Sequence, residues 1–197
     1  MKIGCVITED RPIDVAGIIH RHMMYLPDWP VLHFGKLPIQ CDTDYSFLPL
    51  PYKITGWASY NKLMTSSWYW NRVPFDRVLI FQHDSGMLKN WMPEFEQYDY
   101  VGAPWSFQQH GGNGGFSWRN VDVMRSILNR HSYHPALGYE DVFFCNIMKD
   151  QEANMAPRDV CEKFSVEGVY QLGSMAYHNI ETWLTKEQCT KIMNQYQ

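Results

Sequence analysis

Several patterns are missing from this sequence, and each absence removes a class of function. No two cysteines are spaced Cys-x-x-Cys; Cys5, Cys41, Cys145, Cys161 and Cys189 are scattered and odd in number. That argues against a cysteine-rich zinc site or a disulfide framework and favours a reducing compartment. Basic residues are not in excess: Lys and Arg total 17 against 21 Asp and Glu, for a net charge of -4. The cationic surface that nucleic acid or an anionic membrane requires is therefore lacking. No window reaches the roughly 18 consecutive apolar residues of a spanning helix, and the opening MKIGCVITED is no secretory signal. The expectation is a chain without a membrane span, in the cytoplasm. No internal repeat or linker is visible, and charged residues are only 19% of the chain against 45% hydrophobic, a balance unlike that of disordered segments.

What is present is one domain's length of sequence, 197 residues, rich in aromatics with 8 Trp, 12 Tyr and 10 Phe. Ile3 to Thr8 reads as a buried strand running into the polar cluster Glu9-Asp10-Arg11-Pro12. Val15, Ile19, Met23 and Leu26 then recur at helical spacing, and Val31 to Phe34 gives a second strand. Lys36 to Tyr52, with three prolines, is expected to be irregular with at most one short strand. Tyr60 to Trp70 reads as a helix. The continuous apolar run Val78-Leu79-Ile80-Phe81 has the character of a central parallel strand. Further along, the spacing predicts a strand over Tyr98 to Gly102 and a loop from Ala103 to Gly115. Helices follow over Val121 to Asn129, capped by Asn120, and over Glu140 to Met148. A late strand over Phe164 to Tyr170 and a helix near Thr185 to Met193 complete the chain. Strands alternating with helices predict an α/β domain with one central, mostly parallel mixed sheet flanked by helices.

Chemistry is expected outside the carboxyl ends of such strands. The run RVLIFQHD ends on Gln82-His83-Asp84, so Asp84 projects from the sheet edge, either to hold a cation or to cap a following helix. A literal Asp-x-Asp at Asp42-Thr43-Asp44 has the context of a turn instead. His110 to Gly115 carries four glycines in six residues, as a binding loop does where main chain must approach a ligand, or as a flexible surface turn does. It is followed by no Gly-Lys-Ser/Thr and so is not a P-loop. Glu140-Asp141 opens a helix, where acids are favoured electrostatically with or without function; the functional reading makes one of them a general base. His178 is a candidate imidazole ligand or a structural histidine.

The segments RVLIFQHDS, YDYVGAPW, GGNGGFSWR, YEDVFF and FSVEG, followed by His178, occur in an order that resembles a family of small GT-A-type glycosyltransferases known from large algal viruses and microbes. The resemblance covers most of the chain. It implies a nucleotide-binding half over about 1–102, an acceptor and metal half over about 103–197, Mn²⁺ or Mg²⁺ as cofactor, and a UDP-sugar as donor. The acceptor would be a carbohydrate or glycoprotein, the chain a monomer by default, and its location the host cytoplasm if the source is viral. By position, Ile7, Thr8, Glu9 and Arg11 would line the base and ribose pocket. Gln82-His83-Asp84 resembles a degenerate Asp-x-Asp motif whose last acid holds the metal together with His178. Gly112, Asn113 and Gly114 would face the donor sugar. Asp141, with Glu140 beside it, resembles the acidic pair near the acceptor. The alternatives are a non-catalytic carbohydrate or nucleotide-sugar binding module and a nucleotide-sugar hydrolase.

Overall fold

The computed structural model describes residues 1–196. β1 (Ile3–Glu9) leads into α1 (Val15–Met23), whose N-cap Asp14 accepts a hydrogen bond from Gly17 N at 2.9 Å. β2 (Val31–Gly35) and β3 (Tyr45–Pro49) follow, the latter being the single short strand expected in the proline-rich stretch. The segment expected as one helix over Tyr60 to Trp70 is two: α2 (Trp57–Met64) and α3 (Ser67–Trp70). Ser66 breaks it, because its backbone is extended and its hydroxyl accepts from Tyr69 N to cap a new turn. β4 (Arg77–Phe81) is the apolar strand, and it is followed by β5 (Ser85–Met87) rather than by a helix that Asp84 could cap.

β6 (Tyr100–Gly102) and β7 (Phe116–Asn120) precede α4 (Val121–Arg130), where Asn120 Oδ1 accepts from Asp122 N at 3.1 Å and from Val123 N at 3.4 Å, as expected of the cap. α5 (Glu140–Asp150) and α6 (Arg158–Phe164) come next, then β8 (Ser165–Val166), β9 (Ala176–His178), α7 (Ile180–Trp183) and α8 (Lys186–Asn194). The late strand is thus two residues long rather than seven. α8 carries a capping box between Thr185 and Gln188.

The main sheet has the order β3-β2-β1-β4-β7-β6, with β7 antiparallel to both its neighbours and the other strands parallel to one another. β7, from the second half of the sequence, is therefore inserted between two strands of the first. Alternation along β1 divides the core: Val6 packs with Leu63, Trp70, Met124 and Phe144 of the helical layer on one face, while Cys5 and Ile7 pack with Ile18, Ile19 and Phe164 on the other. Both faces of the central strands are buried, which is why they read as continuous apolar runs. A small second sheet, β5-β9-β8, pairs Ser85 with His178 and so fixes that histidine beside the end of β4. Among the described residues no helix is long and apolar enough to cross a membrane.

Candidate functional site

A cleft of about 900 Å³ opens over the carboxyl ends of β1 and β4, the place where an open α/β sheet leaves room for a ligand. Thr8, Glu9 and Arg11 reach it from the end of β1, and Gln82 and His83 from the end of β4. Asn113, Glu140, Asp141 and His178 arrive from the second half of the chain. Asp42 and Asp44 are exposed and precede β3, a strand parallel to β1, so they sit at the opposite edge of the sheet from this cleft.

Three expected residues are placed differently. Ile7 is fully buried against the α1 layer, because the pleat that sends Thr8 toward the cleft sends its neighbour the other way. Gly112 and Gly114 do not line the cleft: a side chain on the first would strike the backbone of Gly102, and one on the second the Glu140 and Arg119 side chains. The glycine-rich loop is chain packed on chain; Gly111, at φ 72°, needs glycine for its conformation, and Gly115 for the His178 ring lying against it. Trp118, close to this loop in sequence, is wholly in the core with its indole N–H donated to Tyr98 O at 3.2 Å.

At one end of the cleft Arg11 grips Glu9 through both Nε (2.7 Å) and NH2 (2.5 Å) and also donates to Nδ1 of His83 at 2.7 Å. Burial opposes the Glu9 charge, but the Arg11 hydrogen bonds and charge hold its carboxyl below the ordinary value. Beside it, Asp84 Oδ1 is a buried carboxylate oxygen that accepts no hydrogen bond among the described residues. His178 Nε2 lies 3.3 Å from it and His83 Nδ1 3.5 Å. The other nitrogen of His178, Nδ1, is hydrogen-bonded to Glu167 Oε1 at 3.1 Å, and Nε2 contacts Gln82 Oε1 at 3.1 Å. Burial works against charge on this ring, yet Asp84 and Glu167 on its two sides more than offset that and push its pKa up to about 9. Glu167 carried no signal of its own in the sequence; it is brought to the ring by the pairing of β8 with β9.

Deeper in the cleft the two acids at the start of α5 have separate roles. Both oxygens of Glu140 are engaged by Arg119 at 2.7 Å, in an ion pair sealed from solvent. Asp141 has no such counter-ion: Oδ2 accepts from Gly114 N at 2.9 Å and Oδ1 from its neighbour Val142 N at 2.8 Å. Burial, and then the adjacent Glu140 carboxylate, push the Asp141 pKa up to about 7 despite those hydrogen bonds. The loop connects this carboxyl to the imidazole, since Gly114 binds Asp141 and Gly115 packs on His178. Among the described residues no three His, Cys, Asp or Glu side chains form a ready metal cage. Asp84 and His178 are two side chains that could contact a cation, with Gln82 as a neutral oxygen beside them.

No curated protein matches the chain. Residues 42–181, which run from the turn before β3 through α2, β4, α5 and His178 to the start of α7, match the family model described as "Protein of unknown function (DUF5672)", and the chain belongs to that family.

Proposed function

We propose that this protein is a metal-dependent glycosyltransferase of the GT-A kind, transferring a sugar from a nucleoside diphosphate sugar, with UDP as the expected nucleotide, to a carbohydrate acceptor. The observation that carries the reading is the chain Asp84–His178–Glu167 at the end of β4. A carboxylate oxygen with no hydrogen bond of its own among the described residues stands 3.3 Å from an imidazole whose far nitrogen is held by a second carboxylate, the arrangement that orients a histidine toward a cation able to displace the proton the two share. The mixed carboxylate and imidazole set suits Mn²⁺ better than Mg²⁺, which prefers oxygen alone. When bound, such a cation neutralises the charge that develops on a departing diphosphate. Arg11, with His83 beside it, adds positive and donor groups at the same end of the cleft. Asp141 supplies a carboxyl poised to take the proton of an acceptor hydroxyl.

The direct test is calorimetric titration of the chain with UDP, with and without Mn²⁺. Binding that tightens at least about tenfold with Mn²⁺ supports the proposal, and the absence of binding under both conditions sinks it. An acceptor-dependent rise in donor turnover then separates transfer from hydrolysis.

Two further outcomes are expected. Because a general base must be ionised and Asp141 sits at about 7, the transfer rate should fall about tenfold per pH unit below 7 and level off above it. Asp141→Asn should remove that limb and cost roughly 10²- to 10⁴-fold in rate, with UDP and Mn²⁺ affinity unchanged. A variant that keeps both the rate and the limb would show that Asp141 is no base. Glu167→Gln keeps the shape but weakens the hold on His178 Nδ1, and should lower Mn²⁺ affinity about 10- to 100-fold. Unchanged affinity would leave Glu167 with a packing role only.

A further inference from the structure

The aromatic side chains of this protein are distributed unevenly. Six are exposed among the described residues, and four of these, Trp57, Phe107, Tyr139 and Trp183, stand on the rim of the cleft over β1 and β4, leaving only Tyr170 and Tyr196 elsewhere. Trp57 and Tyr139 are 61% and 55% exposed and meet edge to face, with ring centroids 5.5 Å apart and planes at 69°. Exposed aromatic area concentrated on a rim is costly to leave in water and marks a contact surface. These two rings brace each other, so little conformational freedom is lost when a ligand lies on them.

The helices that carry the pair also carry the polar groups beneath it. Trp57 begins α2, which holds Asn61; Tyr139 is the N-cap of α5, which opens on Glu140 and Asp141. Asn61 is only 3% exposed and lines the cleft. Its Oδ1 accepts from Glu140 N at 3.4 Å, but its Nδ2 has no hydrogen-bond partner among the described residues. The hydroxyl of nearby Tyr133 donates to Gly138 O at 2.8 Å, and its oxygen is the protein acceptor near this amide with which a ligand hydroxyl would compete. A buried amide donor left unpaired carries the full cost of its desolvation, which a ligand oxygen would recover.

From this juxtaposition we infer a pyranose subsite: the Trp57–Tyr139 pair is a stacking platform for a neutral sugar ring, Asn61 Nδ2 donates to one of its hydroxyls, and a second hydroxyl is presented to Asp141. A pyranose has an apolar C–H face and a polar edge, and the site offers an apolar platform above a donor and a carboxyl. On the reading above a diphosphate would meet Arg11 and His83 at the ends of β1 and β4, whereas the ionised Asp141, which has no counter-ion, would repel a phosphate or an acidic chain beside it. This assignment of the ring to the acceptor rests on the transferase reading above; the platform itself does not.

The test uses saturation-transfer NMR on the whole chain with methyl glycosides of glucose, galactose, mannose, N-acetylglucosamine and rhamnose as probes, run beside calorimetry with UDP and Mn²⁺. At least one methyl pyranoside should receive saturation from aromatic protons. Trp57→Ala should weaken that sugar at least tenfold and Trp57→Phe should largely restore it, while UDP and Mn²⁺ affinity stays within threefold of the parent. Both substitutions are at an exposed position, so the fold should be unaffected. If no pyranoside binds, or if Trp57→Ala binds it as the parent does, the subsite is refuted. If the same variant loses UDP instead, the platform serves the base and the inference is also overturned. If UDP fails to bind the parent while a pyranoside binds and depends on Trp57, the platform stands and the transferase proposal falls.

Discussion

Replacing Arg119 by methionine should lower the unfolding free energy by about 3–5 kcal/mol, the largest stability loss expected from any single side chain here. The guanidinium is sealed from solvent and binds both oxygens of Glu140 at 2.7 Å, Ser117 Oγ at 2.9 Å and Gly114 O at 3.2 Å. It also lies 5.1 Å from the ring centroid of Tyr100 and 5.9 Å from those of Trp70 and Phe144. Methionine fills much of the volume but leaves the Glu140 carboxylate uncompensated in the core, and the cost is that of the unpaired charge rather than of lost attraction. A paired substitution, Arg119→Met with Glu140→Leu, should therefore recover most of the loss, since both charges are gone together. Urea unfolding of the parent, the single and the double variant measures all three. A single variant within 1 kcal/mol of the parent, or a double variant less stable than the single, would contradict this account. Even if the double variant is as stable as the parent, it should lose most of the transfer activity proposed above, because Arg119 also ties Gly114 in the loop that holds Asp141 and packs on His178.

Arg119 also shows what the sequence hides. The strands that bury two apolar faces, β1, β2 and β4, were legible because burial on both sides writes a continuous run of apolar letters. β7 was not: its five residues, FSWRN, contain a serine and an arginine that are buried, and a buried arginine looks on paper like a surface residue. β5, β8 and β9 escaped or were misjudged because segments of two or three residues carry no period to detect. The same contrast runs through the site. Asp84, His83, Asp141 and His178 were found because each stands at an abrupt change from apolar to polar sequence or at a helix start. Glu167, Asn61, Trp57 and Tyr139 were given no role because their meaning depends on which partner the fold sets opposite them. The glycine loop was located, but of its residues Asn113 and Gly115 line the cleft while Gly112 and Gly114 do not: small residues close to a ligand and small residues close to another part of the chain leave the same trace in sequence. Only the contacts of Gly112 with Gly102 and of Gly114 with Glu140 distinguish the two.

If the protein is the metal-dependent transferase proposed above, Asp84→Asn should abolish the Mn²⁺ dependence of UDP binding and reduce transfer by more than about 100-fold, with little change in stability. The bound on the effect comes from comparison: loosening a residue that only supports a metal ligand costs about 10- to 100-fold, and removing a ligand should exceed that. The expectation of a stable fold comes from position. Asp84 sits after the last residue of β4 with its side chain about a third exposed, 31%, and no helix follows for it to cap. Its charge is nonetheless specific to the site: burial raises its pKa, while the His178 ring 3.3 Å away and the charge of His83 bring it below the ordinary aspartate value. Asparagine keeps the shape and one acceptor oxygen but neither the charge nor the lone pairs that a hard cation competes for. His178 would then lose one of the two carboxylates that raise its pKa, so the variant should also show that imidazole titrating nearer its ordinary value of about 6.5, which NMR of the ring protons reads directly. Loss of Mn²⁺ dependence together with a lowered His178 pKa would place Asp84 and His178 in one electrostatic unit. Full Mn²⁺-dependent UDP binding in Asp84→Asn would remove the carboxylate from the cation site and leave the cleft to bind its nucleotide, if it does, through Arg11 and His83 alone.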